Sequence, residues 1–453
     1  MKRSFPLSLA LVSLGGTVAV MILCLAVLHT EPQIPLLLAC LMATAVAMLR
    51  GCRLRDVGAG VIRSVKQSLQ AIMILLLIGA VIGVWIAAGT VPAMVYYGLR
   101  LISPRLFPAS AMLVCALISM VLGSWGTAGT VGLAFMGMAQ TMGIPLPLAA
   151  GAVISGSYVG DKLSPLADTT NLAAAVAEVD VMDSIRNICR VAAPTFALCL
   201  LVYGALGLWG GSGGADATDQ IREVGNTLAR LFRMTPLNFL PLAVLLICML
   251  CRLPAIPSLA AGLLSGAVYA AAAQRADLPE LGRCVFTGFV SRSGSDLVDR
   301  LLTAGGVLSM LYTISIILLA MAFGGIMEQT GQMQVLTAPL LRRAGSFPAL
   351  MILTTLSAVC TNVLLPDQYI AIALPGRMYA AAFDAKGFRR RDLAMAIGVG
   401  GALTSALVPW NTCGIFMSGI LGVGTLGYLP FAFYNCGMVL AVAVYALLKR
   451  NKQ

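Results

Sequence analysis

The stretch Gly156-Ser-Tyr-Val-Gly-Asp161-Lys162-Leu-Ser164-Pro165-Leu-Ala-Asp168-Thr169-Thr170-Asn171 decides how the chain reads. It sets two carboxylates, a lysine and a Thr-Thr-Asn tail in the middle of the apolar run 148–178. A plain membrane span needs about 20 residues, so this run is too long for one and carries its polar groups where a span should be driest. Pro165 removes a backbone donor and stops a helix, and the glycines before it loosen the chain. The run is therefore predicted to be two half-helices around an irregular turn. Such backbone is tolerated at membrane depth only where protein or a cavity satisfies it. Ionisable groups there are costly and functional by default.

The rest of the chain has the same character. Of 453 residues, 59% are hydrophobic and 11% charged, with a mean hydropathy of +0.93. Soluble domains carry about a quarter charged residues, which excludes a water-soluble protein. Apolar runs recur from 7–28 to 427–448, and the run 391–421 is also long and interrupted. The expected class is an all-α polytopic membrane protein with about 10–14 membrane segments, some discontinuous or re-entrant. Met1-Lys-Arg3 and the apolar run to Leu28 read as a retained first helix.

The net charge of +12 comes from short basic gaps between the runs, the pattern of cytoplasmic loops and not of nucleic-acid binding. The loop 50–66 holds Arg50, Arg53, Arg55, Arg63 and Lys66; the loop 383–392 holds Lys386, Arg389, Arg390 and Arg391. Their counterparts in the other half, 275–300 and 140–147, have no such bias. The halves share an order of landmarks: Phe107-Pro-Ala109 and Phe347-Pro-Ala349, then a break (Ser124–Gly129 against Asn362–Gln368), then a long interrupted run. Opposite charge bias at matching loops predicts inverted-topology repeats over 1–210 and 236–453, joined by a Gly-rich extracytoplasmic linker at 211–235. Both basic termini, with Lys2, Arg3, Lys449, Arg450 and Lys452, are expected in the cytoplasm. This is the plan of secondary transporters, whose sites form at the midplane from broken helices.

Asp161, Asp168, Thr169, Thr170 and Asn171 offer hard oxygen ligands for a small cation, with Asp168 able to exchange it for a proton. The competing reading pairs Asp161 with Lys162 and uses Asp168 to cap the second half-helix. The second half has Thr404, Ser405, Asn411 and Thr412 but no acid, so it either completes a site or forms a kink around a self-capped Asn411. Asp367, between Pro366 and Gln368, is either a midplane ligand or a turn residue. Arg377 is either the partner of an intramembrane acid or a holder of an anionic substrate. Twelve scattered cysteines, with Cys248 and Cys251 the close pair, read as helix packing. Enzyme classes fit poorly. The single His29 closes the first span, Tyr158 stands where an intramembrane aspartyl protease needs glycine, and no phosphate-cradling loop is present.

Gly160-Asp-Lys-Leu-Ser-Pro-Leu-Ala-Asp-Thr-Thr-Asn171 closely resembles the signature of NhaC-type Na+/H+ antiporters. So do Asp367-Gln-Tyr369, Leu374-Pro-Gly-Arg-Met378 and Pro409-Trp-Asn-Thr-Cys-Gly414, in the family's order. Ala406 stands where the family often has proline. The resemblance implies a multi-pass transporter of a prokaryotic inner membrane that exchanges Na+ or Li+ for protons and works as no enzyme. Asp161, Asp168, Thr170 and Asn171 would lie at the first-half site, with Asp168, Thr170 and Asn171 on Na+. Asp367, Asn411 and Thr412 would lie at the second. Lys162, Ser164, Thr169, Gln368, Arg377 and Ser405 complete the expected binding set. Na+ and H+ are cargo, with no cofactor, and the bilayer is the partner, with a homodimer allowed. The family also holds exchangers of small carboxylates, so an organic acid or amino acid is the alternative cargo.

Overall fold

The computed structural model describes residues 7–24, 28, 30–209, 215–332 and 346–450. His29, the basic residues Lys2, Arg3 and Lys452, and the glycines at 210, 211, 213 and 214 lie outside the described residues. Among the described residues every regular element is a helix; Phe289 and Ala304 make an isolated antiparallel bridge. Six helices are long and apolar enough to cross a membrane: 68–87, 104–141, 181–209, 255–274, 307–329 and 347–364. Two bent helix pairs raise this to as many as eight, and Gln33–Leu49 and Phe433–Lys449 are shorter apolar helices. The expected first span is the 16-residue helix Leu7–Ile22.

Two stretches expected as connections are helical instead. Leu54–Ala87 is one helix of 34 residues, about 51 Å long at 1.5 Å per residue, so only the turn at 50–53 remains of the basic loop. Val57, Ser64 and Ser68 are buried along one side while Arg55, Arg63 and Lys66 stay exposed on the other. Charges that read as a loop are thus the wet face of a helix that overshoots the apolar span. The second part of the linker is the helix Ala215–Leu231. Val224 and Leu228, four residues apart, are buried where it packs against Thr90–Leu101, and it meets the next apolar helix at 90°. That angle suits an amphipathic helix lying across the end of a span.

The landmarks of each half fall on or between helices. In the first half, Phe107–Thr127 is broken at Gly123, whose φ of 69° needs glycine, and continues to Thr141. Leu146–Leu163 and Asp168–Val176 follow, then the long helix Val181–Trp209. In the second half, Phe347–Leu364 and Gln368–Ala385 flank a break, and Arg390–Ile397 widens into a π-turn over Gly398–Leu403. Thr412–Leu421 and the terminal helix Phe433–Arg450 come after. The first break thus falls at Gly123, one residue ahead of the predicted Ser124–Gly129, with a π-turn at Ala128–Gly132 behind it.

Small residues bring the broken helices together. A Cβ on Gly156 would lie 2.2 Å from the Met112 carbonyl oxygen, and one on Gly160 the same distance from that of Ala116. The two helices therefore touch backbone to backbone, which a larger residue forbids. The halves interlock: Asp168–Val176 packs on Gln368–Ala385, and Arg390–Ile397 packs on Val181–Trp209. At that junction Asp392 is fully buried and accepts from Lys449 Nζ at 2.7 Å, Tyr445 at 3.1 Å and Asn187 at 3.2 Å. Lys449 also lies 4.8 Å from the Phe347 ring centroid, so the last helix is fastened by both charge and π-face.

Candidate functional site

All four interruptions reach one cavity of about 760 Å³. Its wall takes Gly123, Ser124 and Trp125 from the first break, Asp161, Pro165, Asp168 and Asn171 around the second, Asp367, Gln368 and Tyr369 from the third, and Thr412 from the fourth. Gln70 and Arg252 complete its polar lining.

The break at 164–167 is held by its own polar groups. The Ser164 hydroxyl donates to the Met120 carbonyl at 2.5 Å and accepts from Leu166 N–H at 3.1 Å. The Asn171 amide donates to the carbonyls of Pro165 at 2.8 Å and Ala167 at 2.7 Å, the latter also accepting the Asn171 backbone N–H at 3.1 Å. Thr170 donates to the Asp161 carbonyl at 2.9 Å. Asp161 and Lys162 form a buried ion pair at 3.3 Å. Thr169 sits between them, accepting from Lys162 Nζ and donating to Asp161 Oδ2, each at 2.7 Å. The competing reading of the sequence is therefore present for this pair, and Lys162 is spent on it.

Asp168 is placed differently. It is the first residue of its half-helix, with Ala167 as the N-cap, so it does not cap through the usual geometry. Oδ1 accepts from Thr169 N–H at 2.8 Å and Oδ2 from the Tyr369 hydroxyl at 2.5 Å. Its side chain is exposed to the cavity, and no ion pair engages it among the described residues. A carboxylate at a helix N-terminus also faces the positive end of the peptide dipoles.

The second half contributes one acid and a set of amides. Asp367 is the N-cap of Gln368–Ala385, accepting from Ile370 N–H at 2.9 Å, and is both turn residue and cavity wall. Gln368 is buried, and its Oε1 has no hydrogen-bond partner among the described residues. Asn411 caps Thr412–Leu421 through Cys413 N–H at 3.1 Å, the self-capped arrangement. Asn362 gathers the rest. Its amide donates to the carbonyls of Gly400 and Gly401, freed by the π-turn, and to Thr404, while its Oδ1 accepts from Asn411 at 3.0 Å. Trp125 stacks on Phe416 at 4.3 Å between centroids, joining the first break to the last half-helix.

Of the expected residues, Asp161, Asp168, Asn171, Asp367, Gln368 and Thr412 come together around the cavity. Lys162, Ser164, Thr169 and Thr170 lie immediately behind its wall as the hydrogen-bonded support described above. Ser405 is buried and bound to the Ala402 carbonyl at 2.5 Å, and Arg377 is exposed and outside the wall. Gly376 takes the packed face of that helix, against Val176, and this turns Arg377 outward. Sequence reasoning missed Tyr369, Arg252, Gln70 and Asn362 as functional candidates. Asn362 carried the best signal, an amide inside an apolar run.

The model of the Na+/H+ antiporter family matches residues 156–449. The Na+/H+ antiporter NhaC of Alkalihalophilus pseudofirmus is 33% identical over 436 residues, 96% of this chain and 94% of that one. The malate-2H+/Na+-lactate antiporter of Bacillus subtilis is 31% identical over 89% of this chain and 87% of its own. An arginine/ornithine antiporter of Halobacterium salinarum is 33% identical over 94% and 88% respectively.

Proposed function

The chain belongs to the Na+/H+ antiporter family, a family of membrane transporters, and from that premise we propose that it exchanges Na+ or Li+ for protons by alternating access. The observation that carries this reading is Asp168. Of the three carboxylates on the wall it is the one exposed to the cavity; Asp161 is tied to Lys162, and Asp367 is buried as a helix cap. Na+ and a proton compete for the same carboxylate, so occupancy by one expels the other. Gln368 Oε1, buried and unpaired among the described residues, offers a second oxygen from the opposite half. The two halves act as inverted repeats, whose relative rocking opens the site to each side in turn. The cavity's Val181–Met182 wall stands beside the Glu178–Arg390 ion pair at 3.5 Å, on the side of the basic loop 383–392. The positive-inside rule makes that side, with both termini, cytoplasmic. Proteoliposomes loaded with Na+ are expected to dissipate an imposed pH gradient, and Asp168→Asn to abolish the exchange. Exchange at the wild-type rate in that variant removes Asp168 from the mechanism.

One observation favours a second reading, a small carboxylate or amino acid moved with the ions. The cavity's 760 Å³ far exceeds the space for one cation, a water's own share being about 30 Å³, and Arg252 brings a guanidinium to its wall. Relatives named for malate and lactate or for arginine and ornithine support testing it. Na+-dependent uptake of labelled malate or lactate, lost in Arg252→Gln, favours this reading; no uptake across a panel of small acids removes it.

A further inference from the structure

The Asp168 carboxylate, the proposed meeting point of the two cargoes, is held by one side chain from the other half of the molecule. Tyr369 stands two residues after the Asp367 cap, at the start of Gln368–Ala385, and its hydroxyl donates to Asp168 Oδ2 at 2.5 Å. Both residues line the cavity, so the bond crosses the space between the two sets of broken helices. The other oxygen, Oδ1, is taken by Thr169 N–H, a bond local to the half-helix that goes wherever Asp168 goes. Oδ2 is different, because its donor belongs to a separate helix.

We propose that Tyr369 is a positioning residue that sets how tightly Asp168 takes its cation, by competing for the same oxygen. A cation approaching Oδ2 meets a hydroxyl proton pointing at the lone pair it needs. Binding therefore breaks the Tyr369 bond, and release of the cation lets it re-form. The same exchange ties occupancy to geometry: with the bond made, Asp168–Val176 and Gln368–Ala385 are pinned at their ends; with the cation in place, that pin is gone. Tyr369 thereby weakens cation affinity and favours release, as an exchanger requires.

This inference rests on Na+ being a ligand of Asp168, and the test separates the two. The purified full chain is titrated with NaCl for thermal stabilisation, and its exchange is measured in proteoliposomes across Na+ concentrations. Tyr369→Phe removes the hydroxyl and keeps the ring. It is expected to lower both the half-stabilising Na+ concentration and the KM for Na+ by roughly tenfold, within what a hydrogen bond to a charged group supports. A role in packing alone would lower the melting temperature and leave the KM where it was. Wild-type protein stabilised by Na+, with KM unchanged or raised in Tyr369→Phe, overturns the role of Tyr369 alone. A raised KM would instead make the hydroxyl a cation ligand. Wild-type protein indifferent to Na+ overturns both this inference and the exchange it rests on. If Tyr369→Phe does not fold, the wild type still decides the matter. Displacing a phenol from a carboxylate changes its ultraviolet absorption, and addition of Na+ without a tyrosine difference spectrum overturns the proposal.

Discussion

The breaks at 164–167 and 404–411 each interrupt a long apolar run, yet they solve the same problem with opposite chemistry. In the first, an ion pair, a threonine bridge and an asparagine amide hold the turn, and one carboxylate, Asp168, is left facing the cavity. In the second, no charge is used. Asn362 collects the π-turn carbonyls, Asn411 caps the next half-helix, and of the fourth break Thr412 reaches the cavity wall. The difference separates two tasks that a broken helix imposes. Satisfying stranded backbone groups needs only amides and hydroxyls. Exchanging a charged cargo needs a carboxylate whose charge is not already spent.

The strongest way to break this comparison is to swap the expected outcomes of the two first-half acids. Asp168→Asn is expected to reduce exchange to that of empty liposomes while leaving the thermal midpoint near that of wild type. Lys162→Met should do the reverse, costing about 3–5 kcal/mol of stability by leaving Asp161 buried without its partner. Equal loss of stability in both variants would erase the distinction between the held acid and the working one.

Next in size, Asn362→Ala takes a donor from the Gly401 carbonyl, while Gly400 keeps the Thr404 hydroxyl and Asn411 the backbone carbonyl at 362, a cost of about 1–3 kcal/mol. Denaturation should register that loss while the KM for Na+ stays unchanged; a shifted KM would give the neutral break a share in cargo binding. Gly160→Ala tests the close contact that holds the first break in place and should cost about 1–3 kcal/mol by overpacking against the Ala116 carbonyl. The smallest effect is expected at the loop joining the second half's broken helices. Arg390 pairs with Asp384 at 2.6 Å and holds its carboxyl below the usual carboxylate range. A lowered value means the contribution is present above the unfolded carboxylate pKa and is lost as pH falls through the folded one. Melting temperatures of wild type and Asp384→Asn should therefore differ at neutral pH and converge in acid.

The first break was legible because Pro165 and seven polar or charged residues, Asp161, Lys162, Ser164 and Asp168 to Asn171, stand out against an apolar run, and that contrast survives without any knowledge of packing. Pro409-Trp-Asn411 showed the second break for the same reason, and the self-capping of Asn411 was one of the two readings the residues allowed. Tyr369 was not legible as a partner of Asp168, since 201 residues separate them and only the interlocking of the halves brings them together. Arg252 reads as the end of an apolar helix; its place on the cavity wall comes from the turn between Leu240–Leu250 and Ala255–Tyr269. Arg377 stands apart from the cavity. Gly376 packs against Val176, and Arg377 on the next position of the helix is exposed. Sequence shows which residues are costly to bury; which way a helix face turns depends on its neighbours.

The clasp between Asp392 and Lys449 also imposes an order on synthesis. The acid is made 57 residues before the lysine that neutralises it, a delay of roughly 3–11 s at 5–20 residues per second. During that interval the helix carrying Asp392 exists without its fastening, and the second half cannot close into its final packing. A chain halted before Lys449 would keep the Asp392 carboxylate without its cationic partner.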